Sequence, residues 1–323
     1  MVGNTTSNWQ KKIGSQRDWV WRGWQIRYTY VRCQNNHETL EGHNLENPPI
    51  LLLHGFGASI GHWQHNINVL SQKHTVYALD LVGFGASEKA IANYDVSFWV
   101  EQVYEFWQTF IQVPVILVGN SIGSLISLVA TATYPDIVAL LIMISLPDPA
   151  AQAEAIPAWL LPTVEFIQNI VASPMLLRAL FPVVRRPSVI RRWVKIAYSN
   201  PDRITEELVD ILAGPPSDHG ATRAFCILFK IMGSTKLGPS VKALLPTLET
   251  PMLLIWGKQD LLIPAKFANP SQFVQLNPRL KLKEIDNAGH CPHDECPEIV
   301  NDLILDWIAQ QKQQHSATRK LEF

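Results

Sequence analysis

Short apolar runs without alternation, most of them closed by a glycine-bearing turn, set the rhythm of this chain. Pro49–His54 (PILLLH), Thr75–Leu81 (TVYALDL), Val113–Gly119, Ile137–Leu146, Met252–Trp256 and Leu280–Ile285 are apolar on successive positions. That pattern predicts strands covered on both faces. Trp19–Arg32 differs: it alternates aromatic or aliphatic with polar residues around Gly23, as a β-hairpin does. Phe98–Phe110 has the period of a helix, and so does the stretch after Ser121. Pro297–Gln310 carries Ile299, Val300, Leu303, Ile304 and Trp307 on one stripe, which predicts a closing helix. Strands alternating with helices imply a mostly parallel, doubly wound α/β sheet. Cys33–Asn47 reads as a polar loop, and the last dozen residues read as frayed.

The rhythm stops between Pro147 and about Gly238. We read residues 1–148 and 239–323 as the α/β core and 149–238 as an inserted helical cap over the strand ends. Ile156–Val184 within it is mostly apolar, with Trp159, Leu160, Phe166, Ile170, Met175, Leu180 and Phe181. Arg185, Arg186, Arg191, Arg192 and Lys195 follow. Such a segment suits a tunnel for a long apolar chain resting on an anionic lipid surface. A helix packed on the core with a solvated basic end fits the same composition. Asn200-Pro201 is expected to start a further helix with Ile204, Leu208, Ile211 and Leu212 on one face, stopped by Gly214 and Pro215.

The chain has 323 residues, 47% of them hydrophobic, enough for one large domain with an insertion. A net charge of −1 leaves no excess of Lys or Arg, which argues against nucleic acid or any other polyanion as partner. The four cysteines are too few and scattered for a disulfide framework, so a reducing, cytoplasm-like compartment is expected. Cys291, His293 and Cys296 lie close together, but no second Cys/His pair completes a four-ligand metal site. The N-terminus has no apolar leader-like run, and no stretch of about 18 apolar residues occurs to span a bilayer. Eleven tryptophans and a mean hydropathy of +0.04 point to an apolar ligand or a membrane surface nearby.

The chemistry sits at the strand ends. Gly119-Asn120-Ser121-Ile122-Gly123 lies between a strand and a helix, where Gly-x-Ser-x-Gly forces a sharp turn that lifts the hydroxyl clear of the sheet. Side chains at either glycine would clash with the adjoining strand and helix. His54-Gly55-Phe56-Gly57 follows another strand. A turn there can aim the Phe56 N–H at a developing oxyanion, with the Ile122 N–H as second donor. A plain tight turn is the alternative. Losing one such donor typically costs about 2.7–4 kcal/mol of transition-state stabilisation.

Trp256-Gly257-Lys258-Gln259-Asp260 places a carboxylate just past a strand, and Asp286-Asn287-Ala288-Gly289-His290 offers an imidazole on a later loop. The order Ser121, Asp260, His290 is that of a nucleophile–acid–base triad, with Asp148 the runner-up for the acid. His54, His62 and His293 read as structural or solvated. Asp80-Leu81-Val82-Gly83-Phe84-Gly85-Ala86-Ser87 reads as scaffold around the mouth of the site. A phosphate loop is the other reading, unsupported by a following Gly-Lys-Ser/Thr. The expected chemistry is attack of Ser121 on a carbonyl, His290 taking its proton and Asp260 orienting the ring, with no metal or organic cofactor.

Five motifs in order, HGFGAS, DLVGFGAS, GNSIGS, WGKQD and DNAGH, resemble the α/β-hydrolase superfamily from about Trp19 to Trp307. Serine at 121 departs from the branches that use a carboxylate nucleophile. The wording WxWRGWxIRY, HGFGASxxHW, LDLVGFGASEK and GNSIG resembles the chlorophyll dephytylase and pheophytinase branch. Ser124 stands where many relatives carry a second glycine. The resemblance implies the triad Ser121, Asp260 and His290. It also implies hydrolysis of a large apolar ester, with release of phytol from chlorophyll or pheophytin, and peripheral contact with the thylakoid membrane through the cap. A generalist esterase or lipase, a carbon–carbon bond hydrolase, and a ligand-binding receptor on the same fold are the competing expectations.

Overall fold

The computed structural model describes residues 8–33, 47–149, 173–232 and 237–321. Eight strands form one sheet in the order β1-β2-β4-β3-β5-β6-β7-β8: β1 Gln16–Trp21, β2 Trp24–Val31, β3 Ile50–Leu53, β4 Val76–Leu79, β5 Val115–Asn120, β6 Val138–Ile144, β7 Met252–Gly257 and β8 Leu280–Ile285. The hairpin β1–β2 is antiparallel and joins β4 antiparallel; every other pairing is parallel. Trp21 pairs with Trp24, leaving a two-residue turn in which Arg22 and Gly23 both have positive φ (49° and 86°). That turn twists as the strands do, so it closes the hairpin without splaying it.

The uninterrupted apolar runs are explained by the two faces they serve. In β5, Val115 and Leu117 pack into one core and Ile116 and Val118 into the other. β3 and β7 divide in the same way: Leu51 and Leu254 face one layer, Leu52 and Ile255 the opposite one. The first layer is closed by α1 (Val96–Phe110) and α2 (Ile122–Thr133), the second by α7 (Pro297–Leu321), numbering the helices of eight or more residues. α1 begins two residues before the period suggests, because the Asp95 carboxylate accepts the Phe98 N–H at 2.8 Å and caps it. α7 runs past Gln310 to Leu321, since the sequence there contains neither Gly nor Pro to end it.

Topology fixes where a ligand can enter. From β3 the chain moves to β4 on one side and then to β5 on the other, so the connections leave in opposite directions between β3 and β5. A crevice opens at the carboxyl ends of strands at such a switch point. Leu53 pairs with Gly119 there, which sets the loops carrying Phe56 and Ser121 side by side.

Among the described residues between β6 and β7 there is no strand. Four helices occupy the stretch: α3 Pro174–Val184, α4 Pro187–Ala197, α5 Glu206–Ala213 and α6 Ala221–Met232. Residues 150–172, with most of the apolar run expected over Ile156–Val184, lie outside the described residues, as do 233–236 and most of the Cys33–Asn47 loop. The helix expected from Asn200 is split. Pro201–Arg203 makes one 3-10 turn, Ile204 leaves helical geometry, and α5 starts after Thr205, whose hydroxyl accepts the Leu208 N–H at 3.1 Å. Two capping residues compete here, and the second, backed by Glu206 and Glu207 in the first turn, nucleates the longer helix.

Candidate active site

Ser121 occupies the turn between β5 and α2 with φ 54° and ψ −120°, a conformation costing about 1–3 kcal/mol for a residue with a side chain. The surroundings enforce it. Its N–H donates to the Ile144 carbonyl at 2.8 Å, and its carbonyl accepts from Ser124 and Leu125, starting α2. A Cβ on Gly119 would strike the Gly123 backbone, and one on Gly123 would strike the Leu53 carbonyl. Both glycines are there for close approach, as expected. Ser124, the departure from the usual second glycine, ties the elbow to the sheet. Its buried hydroxyl lies 2.6 Å from the Gly119 carbonyl and accepts the Ile144 N–H at 2.8 Å.

The post-β3 turn lies against this elbow. A Cβ on Gly55 would sit 3.4 Å from the Ser121 Cβ. Phe56 follows, its half-exposed ring edge-on to Phe84 at 5.5 Å. Ile122 is buried and is the first residue of α2, so its N–H belongs to the donors that a helix leaves without an internal acceptor. His54 has a structural place: Nδ1–H donates to the Gly55 carbonyl at 2.8 Å and Nε2 accepts the Leu81 N–H at 3.1 Å. The bond accepted at Nε2 requires the neutral ring, and burial pushes its pKa down to about 4.

Asp260 and His290 meet. His290 Nδ1 lies 2.7 Å from Asp260 Oδ2, with both side chains buried. The other carboxylate oxygen accepts the Leu262 and Ile263 N–H groups, each at 2.8 Å, so it cannot swing away. The two loops are stitched by Lys258 N–H to the Ile285 carbonyl at 3.0 Å and Gln259 N–H to the Ala288 carbonyl at 2.9 Å. The Asn120 amide, beside Ser121, donates to the His290 carbonyl at 3.2 Å. Serine elbow and Asp–His pair therefore share one end of the sheet. The ring bonds to Asp260, the first of the two carboxylates the sequence offers for the acid.

The remaining candidates fall elsewhere. In the DLVGFGAS turn Asp80 is buried, and its two oxygens accept the Ile60 and Ala86 N–H groups at 2.7 Å each. Burial raises its pKa to about 6. A carboxylate already fills the place a phosphate would need, so the turn is scaffold. His293 is buried against Trp63, ring centroids 4.3 Å apart. Among the described residues no group of three His, Cys, Asp or Glu is disposed to hold a metal ion.

A parallel-centred sheet with a strained serine after β5 and a buried Asp–His pair on later loops defines an α/β hydrolase. The chain belongs to the alpha/beta hydrolase family, which it matches over residues 50–303. It is 25% identical over 319 residues to the chloroplastic pheophytinase of Arabidopsis thaliana, covering 82% of this chain and 62% of that protein. To the (lyso)-N-acylphosphatidylethanolamine lipase of Homo sapiens it is 24% identical over 296 residues, covering 85% and 84%. The crystal structure of a membrane phospholipase A, a bacterial virulence factor, superposes with a TM-score of 0.68 at 25% identity over 94% of this chain and 89% of that one. The chain thus spans less than two thirds of the pheophytinase's length.

Proposed function

We propose that this chain is a serine hydrolase of carboxylic esters with a large apolar group, and that it removes phytol from chlorophyll or pheophytin. The observation that carries the chemistry is the 2.7 Å bond from His290 to Asp260 beside the strained Ser121 turn. His290 takes the Ser121 proton as the hydroxyl attacks the ester carbonyl. The Phe56 and Ile122 N–H groups receive the oxyanion. Collapse expels the alcohol, which takes the proton from His290 and leaves an acyl group on Ser121. Water, deprotonated by His290, then releases the acid. Asp260 keeps the ring in the useful tautomer and balances its charge.

The pigment assignment is supported by the motif wording and the pheophytinase likeness. The lipase, matched over most of both chains, favours a second reading in which the ester belongs to a lipid. Residues 149–238 act on either reading as a cap that selects the apolar group and rests on a membrane. Support comes from α3 and α4, where Met175 is 87% and Trp193 60% exposed, beside exposed Leu180, Val183 and Ile196. Between Ser173 and Asn200 the sequence holds six Arg or Lys and no Asp or Glu, complementary to an anionic bilayer.

Incubation with chlorophyll a and pheophytin a, followed by chromatography, should yield phytol and the matching chlorin acid, with none formed by Ser121→Ala. Turnover of lipid or p-nitrophenyl esters without phytol release removes the pigment reading and keeps the hydrolase.

A further inference from the structure

His290 is held from two directions, and the hydrolytic chemistry uses only one of them. Asp260 grips the ring; the backbone is gripped, besides the Asn120 amide at its carbonyl, by the last residue of α4 and those that follow it. The His290 N–H donates to the Ala197 carbonyl at 2.6 Å, and a Cβ on Gly289 would strike that same carbonyl. Glu295, in the short helix Pro292–Glu295, is buried and bridges the two segments. Its Oε1 accepts the Gly289 N–H at 2.5 Å, and its Oε2 accepts the N–H groups of Ser199 at 2.5 Å and Asn200 at 3.3 Å. One carboxylate thus fastens the residue before His290 to the end of the helical stretch.

A second bond pattern locks the same junction. The buried Tyr198 hydroxyl accepts from His62 Nε2 at 2.8 Å and donates to Asp294 Oδ2 at 2.7 Å. Tyr198 and Asn200 come from the stretch between β6 and β7, His62 from the loop after β3, and Asp294 and Glu295 from the loop beyond β8. Three parts of the chain far apart in sequence are joined beside His290, with no bond from Glu295 or Tyr198 to any reacting atom.

We propose that Glu295 and Tyr198 are positioning residues for His290, so that the helical stretch of α3 and α4 is coupled to the orientation of the base. The inference rests on the serine hydrolase reading and adds a regulation to it: whatever seats those helices also seats His290. The physical reason is that proton transfer tolerates little displacement, and a shift of about 1 Å at a catalytic group costs about 10²-fold in rate.

Glu295→Gln is the sharpest probe. A carboxylate accepts on both sides of the bridge, whereas an amide of the same size accepts on one and presents a donor to the other. Turnover of p-nitrophenyl butyrate is to be measured per active site, titrated with a fluorophosphonate, together with the rate of that acylation. The expected result is a fall in kcat and in acylation rate of about 10–10²-fold, with KM changed less than about threefold. Tyr198→Phe is expected to move the same way by a smaller factor, and it carries the test where Glu295→Gln fails to fold. A merely structural role lowers the number of titratable sites and leaves turnover per site at the wild-type value; that result overturns the proposal. Failure of the wild-type protein to react at Ser121 sinks the hydrolase reading instead.

Discussion

The loops at the ends of β3, β4, β5, β7 and β8 and the helices α3 and α4 follow opposite rules. In the loops, three buried carboxylates are committed: Asp260 satisfies two N–H groups and a ring, Asp80 two N–H groups, and Glu295 three. α3 buries only Leu177 and Phe181, and α4 only Val194, while large apolar side chains face outward. A site that must place a proton within tenths of an ångström is built from groups with no alternative partner. A surface proposed to accept a large apolar molecule or a bilayer keeps large apolar side chains exposed among the described residues. The junction at Ala197–Asn200 is where the two kinds of construction meet.

Breaking the rigid half should produce the largest effects. Ser121→Ala is expected to lower kcat for any ester by about 10⁶-fold with thermal stability retained, checked by steady-state kinetics beside a melting curve. Turnover near the wild-type rate contradicts the assignment. Asp260→Asn keeps the shape of the carboxylate but reverses the hydrogen-bond sense on one side, and a loss of about 10⁴-fold is expected. A loss below about tenfold shows that another group orients His290.

Perturbing the open half should leave the chemistry intact. Trp193→Ser with Met175→Ser is expected to weaken co-sedimentation with anionic vesicles by about tenfold or more, since each buried side chain contributes about 1.5–3 kcal/mol or less when partly inserted. Hydrolysis of a short soluble ester should stay within about twofold. Equal binding of the variant and wild type to the vesicles removes the membrane contact, and binding to vesicles without anionic lipid removes the role of the arginines.

The smallest effect concerns acid. His54 and His62 are buried neutral with pKa values near 4, against 6.5 for the unfolded chain, and His74 is similarly lowered to about 4. The unfolded chain therefore binds protons first, so their contribution is complete above pH 6.5 and is lost as pH falls toward 4. Asp80, raised to about 6, opposes this, because below that pH the folded state takes up the proton first. Buried Asp294 and Glu295 are also raised and act in the same sense as Asp80. Buried His293 is lowered as well, so four histidines stand against three carboxylates and the unfolded chain binds an excess of about one proton. The net expectation is a stability loss of about 1 kcal/mol per pH unit between pH 6.5 and 5, read from melting curves. A rising melting temperature over that range contradicts it.

How much of the fold and site is legible in the sequence follows the range of each interaction. β3, β5 and β7 announce themselves because burial on both faces leaves uninterrupted apolar runs. Ser121, Asp260 and His290 announce themselves because each ends a strand in a turn whose glycines allow close approach. In the sequence Ser124 stands out only as a missing glycine, since its bonds to β5 and β6 depend on strands that pair across the sheet. Tyr198 and Glu295 carried no local signal at all. The bonds that join them lie between segments about a hundred residues apart, and only the folded chain brings α4 onto the His290 loop. Thr205 displaced Asn200 as the start of α5 for a milder reason, since both residue types cap helices and the choice falls to the acidic turn that follows.

The central claim is that Ser121 is the hydroxyl made nucleophilic by His290. Treating the purified wild-type protein with a fluorophosphonate and mapping the adduct by peptide mass spectrometry tests it directly. The account predicts a single phosphonylated peptide spanning Val115–Thr133 with the mass added at Ser121, and no adduct in His290→Ala within the same time. An adduct on a different residue, or none from a preparation that still hydrolyses esters, contradicts it.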